Sequence, residues 1–205
     1  MSCLMMEGKI IVMYPTRSEA EPFMLRHAAV ADVWLCGIGA VACAARTAEA
    51  VLLHRPGFIL LAGIAGARAE SGLSKGETVA VVREHAADVG ACRGEAFVSL
   101  PVDGSDVRGN VYENRTPVPS LFRSVESDTV SVAGTSLRAA TGASVENMEG
   151  TGFFAVCGAL GVPFAELRCI SNYIGEERCA WRIEEAAERL AEDVRRFVDA
   201  VRAQL

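Results

Sequence analysis

Three times in its first 66 residues the chain runs through a short apolar stretch and then breaks. "KIIVMYP" (9–15) stops at Pro15, while "ADVWLCGIG" (31–39) and "GFILLAGIAG" (57–66) run into glycines. An apolar run of this length with no polar alternation suits a strand buried on both faces, the condition of parallel sheets covered by helices. Between the second and third runs, "AVACAARTAEAVLLH" (40–54) is Ala-rich and long enough for a helix. Strand, helix, strand in that order indicates an α/β sheet with helices on its faces.

The rest of the chain extends the pattern. "GETVAVVREHAADVG" (76–90) and "DTVSVAGTS" (128–136) carry the β-branched residues of strands, and "PFAELRCISN" (163–172) reads as a last buried strand. Residues 99–120 hold three prolines and many turn formers, which marks a lid or substrate loop. Ser144 is placed to cap a helix running to about Leu160, where Gly161 and Pro163 end it. From Ile183, the residues Ala187, Leu190, Val194, Phe197 and Val201 recur three or four apart, as in an amphipathic helix closing the fold.

Composition narrows the function. With 205 residues, 51% of them apolar, the chain can bury a core as one domain spanning 1–205. A net charge of -6 with scattered basic residues gives no footprint for nucleic acid or an anionic membrane, so a small polar or neutral ligand is expected. The seven cysteines contain no C-x-x-C pair and read as reduced thiols of a cytoplasmic protein. His27, His54 and His85 have no ligand spacing, so no metal is expected. No run approaches the ~20 apolar residues of a membrane span, and Glu7 and Lys9 interrupt the segment where a signal sequence would lie.

Glycine turns and acids supply the chemistry. "GIGAVA" (37–42) has the G-x-G-x-x-A form of a dinucleotide loop, but the following strand ends in Ala62 and Gly63 where a ribose-binding acid would stand. No cofactor is therefore assigned. Together with "AGIAG" (62–66) this turn leaves a bare carboxyl edge, where open α/β sheets bind ligands. Glu19 and Glu21 follow the first strand in "PTRSEAE". Glu146 and Glu149 lie three apart in "VENMEG", with Arg168 on the next strand able to pair with one of them. Each acid alone reads as an ordinary first-turn residue; their shared position at one end of the strands, with Asn172, is what points to a site.

"VENMEGTGFFAVCGALGVPFAELRCISN", with the "GIAG" turn and the early Glu19, resembles the purine nucleoside phosphorylase and nucleosidase superfamily. Within it, "PTRSEAE", "ENMEG" and "RCISNYIG" are most similar to the futalosine hydrolase family, nucleosidases of the alternative menaquinone route. The resemblance implies a three-layer α/β/α domain with a central, mostly parallel mixed sheet, and a homodimer or higher homo-oligomer. It assigns Glu19 to the attacking water, Glu149 to the ribose hydroxyls with Met148 on the sugar, and Asn172 to the purine. Ile64, Ala65, Gly66, Asn147 and Ser171 then line the substrate.

Related nucleosidases that act on adenosine-type thioethers carry an Asp where this chain has Asn172. An amide donates to a 6-oxo group and accepts from a protonated N7, which favours a hypoxanthine leaving group. Methylthioadenosine or adenosylhomocysteine hydrolysis is the alternative, and a nucleoside binder without catalysis is a third reading. Glu21 is an alternative base, and Glu146 either a second ribose contact or a solvated acid. Arg108 or Arg115 would suit a carboxylate on the substrate tail.

Overall fold

The computed structural model describes residues 8–94, 96–99 and 110–204. Strands β1 (Ile10–Tyr14), β2 (Asp32–Leu35) and β3 (Phe58–Ala67) alternate with helices α1 (Arg17–His27) and α2 (Ala40–His54). β4 (Thr78–Ala86) is followed by a separate hairpin of β5 (Gly90–Arg93) and β6 (Ala96–Ser99). Then come β7 (Val111–Glu113), β8 (Arg123–Thr129), β9 (Val145–Asn147), α3 (Gly150–Leu160), β10 (Phe164–Tyr173) and α4 (Ile183–Arg202).

The main sheet has eight strands and is mixed. β2, β1, β3 and β10 run parallel side by side, β4 is antiparallel to β10 and parallel to β8, and β9 is antiparallel to β3. Because β10 pairs with both β3 and β4, while β8 and β9 link β4 back to β3, these five strands close into a ring. Closure removes edges from the part of the sheet that carries the site.

Period-two alternation sorts β1 and β3 between two cores. Ile11, Met13, Ile59 and Leu61 face α2 and α3, packing on Cys43, Val51, Phe153 and Phe154. Ile10, Val12, Phe58 and Leu60 face α1 and α4, packing on Phe23, Leu190, Val194 and Phe197. The helix pairs thus cover opposite faces, giving the three-layer α/β/α arrangement. No helix among the described residues is long and apolar enough to cross a membrane.

Three expectations are corrected. The segment after Ser144 begins as strand β9, and the helix starts only at Gly150, with Glu149 as its N-cap. β3 does not stop at Gly63 but continues through "AGIAG" to Ala67. The strand expected over 128–136 lies earlier, at Arg123–Thr129, in a charged stretch whose Ser127, Asp128 and Thr129 are nonetheless buried. The expected lid over 99–120 lies outside the described residues at 100–109; of the rest, Ser99 ends β6, and 110–120 form β7 and a turn in which Asn114 Nδ2 donates to Phe164 O at 2.9 Å, at the amino end of β10. That is the end of β10 opposite Asn172, so these residues do not cover the carboxyl edge.

α3 can approach α2 because position 152 has no side chain. A Cβ on Gly152 would lie 2.0 Å from the backbone oxygen of Ala40. Two helix backbones must separate to admit it, so Gly152→Ala is expected to cost about 3 kcal/mol, at the upper end of overpacking. Thermal denaturation should show Tm lowered by roughly 6–12 °C; an unchanged Tm would mean that this contact does not set the helix spacing.

Candidate active site

One cavity lies at the carboxyl ends of β1, β3 and β10, where α/β sheets present ligands. Glu19 reaches it from the first turn of α1, whose N-cap is Thr16. Ile64, Ala65 and Gly66 line it from β3; Asn147, Met148 and Glu149 from the β9–α3 junction; Ser171 and Asn172 from the end of β10. Glu146 of β9 also lines it, and Ile38, Ala133, Arg178 and Trp181 are among its other lining residues. Glu19, Glu149 and Asn172, separated by up to 153 positions in Glu19 and Asn172, therefore share a single cavity.

The acids are held in fixed geometry. Glu19 is buried, with one carboxylate oxygen accepting from the Ile64 N–H at 3.0 Å and the other from the Thr16 hydroxyl. Burial pushes its pKa up, against the bonds from Thr16 and Ile64 and the charge of Arg168. Glu21 instead points outward beside Arg17, at 4.0 Å, and does not line the cavity. Glu149 accepts from the Gly39 N–H and from Arg168 Nη1, both at 3.1 Å. Gly39 has φ +95°, so the "GIGAVA" turn serves to aim a backbone donor at Glu149. Each Glu149 oxygen keeps a second lone pair for a ligand.

Behind these residues lies a polar cluster of which the sequence showed one link, the pairing of Arg168 with Glu149 rather than Glu146, but not the rest. Arg168 is wholly buried and bonds Glu166 at 2.7 Å, Glu149 at 3.1 Å and Asn147 Oδ1 at 3.1 Å. Burial opposes its charge, yet the surrounding Glu166, Glu149 and Glu84 outweigh that effect and raise its pKa. Glu84 and Glu166 are pushed up, burial being the main cause for both; mutual repulsion adds to Glu84, while Arg168 opposes the rise at Glu166. Asn147 donates to Glu84 at 2.6 Å and Ser127 at 2.7 Å, and its carbonyl also accepts the N–H groups of Glu149 and Gly150 at 2.8 Å each. Its side chain is thus committed inside the protein, where it sets the turn that presents Glu149. The legible signal was Glu166 and Arg168, two opposite charges on one face of an otherwise apolar strand.

Glycines make room for this cluster. A Cβ on Gly63 would lie 2.5 Å from Arg168 Nη1 and 3.2 Å from Glu19 Oε1; one on Gly150 would lie 2.1 Å from Glu84 Oε1. Gly66 likewise leaves space for Asn172, whose Nδ2 would be 3.1 Å away. Asn172 Oδ1 accepts from the Ser171 hydroxyl at 2.7 Å and its Nδ2 donates to Tyr173 O at 3.0 Å, leaving one N–H and one lone pair for a ligand.

Glu146 is neither solvated nor helical: it is buried on β9, where it lines the cavity while accepting from the Gly134 N–H at 2.7 Å and pairing with Arg138. Arg115 is 89% exposed beside Glu113 and lines a second depression with Gly161 and Phe164, at the opposite end of β10. Arg108 lies outside the described residues.

Comparisons with known proteins give the chain's kinship and fold. Residues 122–203 match the family model described as "Phosphorylase superfamily". The chain is 37% identical to a futalosine hydrolase of Thermus thermophilus over 79% of its own length and 78% of that protein. It is 35% identical to a futalosine hydrolase of Streptomyces coelicolor over 80% and 76%. The fold matches a 5'-methylthioadenosine nucleosidase of Arabidopsis thaliana with TM-score 0.79 at 14% identity, covering 94% of this chain and 95% of that one. It matches a futalosine hydrolase mutant of Helicobacter pylori with TM-score 0.78 at 19% identity, covering 93% and 98%. At such identities the structures speak to the fold alone, whereas relatives 37% and 35% identical over about four-fifths of the chain show its kinship: it belongs to the futalosine hydrolase family of the phosphorylase superfamily.

Proposed function

We propose that this chain is a nucleosidase that hydrolyses the N-ribosidic bond of futalosine and releases hypoxanthine, working in the cytoplasm as one domain within a homo-oligomer. The observation carrying this reading is the convergence of Glu19, Glu149 and Asn172 on one cavity, taken with the family's activity. Glu19 takes a proton from water as the water oxygen attacks the anomeric carbon. The carbon–nitrogen bond breaks with its electron pair passing to the purine. Glu149 binds the ribose hydroxyls and faces the oxocarbenium-like charge that develops beside them. The departing base takes its proton from solvent at N7, and Asn172 accepts that N7–H while donating to the 6-oxo oxygen.

Water fits as acceptor better than phosphate. A phosphate dianion needs several fixed cationic donors. Arg17 turns outward to Glu21, Arg68 is held by Asp128 at 3.0 Å, and Arg168 is engaged by Glu149 and Glu166. Asn172 weighs against methylthioadenosine-type substrates, because an amide cannot protonate the 6-amino purine. A carboxylate as well buried as Glu19 has no use in a protein that only binds a nucleoside.

Purified protein should release hypoxanthine from futalosine without added phosphate; a phosphate requirement would reverse the choice of acceptor. Asn172→Asp should lower turnover of the 6-oxo substrate at least about tenfold, since an anion replaces a donor facing O6. Unchanged turnover would remove the argument from the amide.

Glu19 must be ionised to accept a proton. Its raised pKa puts the acid limb of kcat/KM above the usual glutamate value of about 4.3, with activity falling as pH drops through it. Glu19→Gln should lose about 10²–10⁴-fold in kcat. The folded-state pKa lies above the unfolded one, so this group's contribution to stability is full below the unfolded pKa and lost as pH rises through the folded value. The variant is therefore expected to melt at or above the wild-type temperature at pH 7; a lower Tm would show that the carboxylate holds the fold rather than the water.

The outer face of α2 supports a homo-oligomer. Val41, in the first turn near Ile38 of the cavity lining, is 86% exposed, and Leu52 and Leu53 in the last turn are 65% and 66% exposed. Sedimentation should give a dimer or larger species, and a monomer at micromolar concentration would overturn this part of the reading.

A further inference from the structure

Beyond the acids and amide, the cavity rim carries an unused cation. The chain leaving β10 turns sharply and is tied down. Glu176 accepts the Tyr173 N–H at 2.9 Å and pairs with Lys75 at 2.7 Å, while Trp181 Nε1 donates to Glu176 O at 3.1 Å. These bonds fix the Trp181 indole beside Ile183, the first residue of α4. The Arg178 guanidinium lies over that indole, 5.1 Å from the ring centroid. Such stacking orients the guanidinium plane and leaves its N–H edge open.

Arg178 forms no ion pair among the described residues, although acids outnumber Lys and Arg by 26 to 20. Its neighbour Arg182 is paired with Glu185 at 3.5 Å, and the other arginine of the site, Arg168, is enclosed by carboxylates. Arg178 alone among these faces the cavity with its donors uncommitted. The surfaces near it are apolar: Trp181, Ile183 and Ile38 line the same cavity.

We propose that Arg178 and Trp181 form a subsite for a planar acidic group carried by the nucleoside, an aryl carboxylate packed along the apolar rim with its two oxygens on the guanidinium fork. This rests on the nucleosidase reading for the rest of the substrate, and it replaces Arg115, which lies at the other end of β10. A bidentate carboxylate matches a guanidinium better than an ammonium. The subsite would select substrates with an anionic tail over those with a neutral one, without touching the reacting atoms.

Two measurements test it. In steady-state assays, Arg178→Ala should lower the ratio of kcat/KM for futalosine to that for inosine by roughly 10- to 100-fold, the size of a charged hydrogen bond. The loss should fall in KM rather than kcat, and Arg178→Lys should recover only part of it. Arg182→Ala is the control and should leave the ratio unchanged. The methyl ester of futalosine, its carboxylate neutralised, should lose the preference on wild-type enzyme. An unchanged ratio in Arg178→Ala, or an ester as good as the acid, overturns the subsite.

The second measurement does not need turnover. Titration with 3-acetylbenzoate should shift the Trp181 indole N–H resonance in wild-type protein and not in Arg178→Ala. Equal responses in the two proteins, or none in either, overturn the proposal. Failure of the wild type to cleave futalosine, with this titration positive, would fault the nucleosidase reading and spare the subsite.

Discussion

Arg168 is a guanidinium with no exposure to water, and that condition organises everything around it. A buried cation is tolerated only where carboxylates and further acceptors surround it, because desolvation otherwise outweighs any single attraction. Glu166 and Glu149 supply the charge, and Asn147 Oδ1 and the Ile64 carbonyl supply the remaining acceptors. Placing these partners requires β3, β9, α3 and β10 to meet, which the closed ring of strands brings about. Removal of Arg168 would leave Glu149 without its cation at the cavity wall.

The same cluster has more acids than cations. Glu19, Glu84 and Glu166 all have raised pKa values, burial being the foremost cause for each. Protons are therefore retained among them more readily than in water. For Glu84 and Glu166 this is a way to bury two carboxyl groups beside one guanidinium. For Glu19, which alone of the three lines the cavity, it makes a carboxylate that gains by taking a proton. Elevated basicity in a dry, fixed position is what water activation requires.

The layers were legible because they follow from hydrophobic period. Continuous apolar runs gave β1, β3 and β10, and the spacing from Ile183 gave α4. What local pattern could not carry was the reason for the glycines. In "AGIAG" they read as a turn, yet the strand continues and the missing side chains leave space for Arg168, Glu19 and Asn172. That information is held by residues more than 40 positions away, so no window of sequence contains it. β8 was misplaced for a related reason: Ser127, Asp128 and Thr129 are buried by partners such as Asn147, Arg68 and Glu84 instead of by apolar packing.

Glu146 and Glu149 show how far adjacent acids can diverge. The chain passes from strand to helix between them, so the three-residue spacing places them in different elements rather than on one helix face. Glu149 looks into the cavity. Glu146 lines it too, but its carboxylate ties the Gly134 N–H and Arg138 to β9, and Arg138 and Arg68 both reach the buried Asp128. This second ion cluster ties down the segment that carries Ala133, so part of the cavity wall rests on ion pairs in which Glu146, itself a lining residue, is already engaged. A substitution at Glu146 would therefore release Gly134 and Arg138 as well as change the lining, whereas one at Glu149 would free Arg168 and the Gly39 N–H.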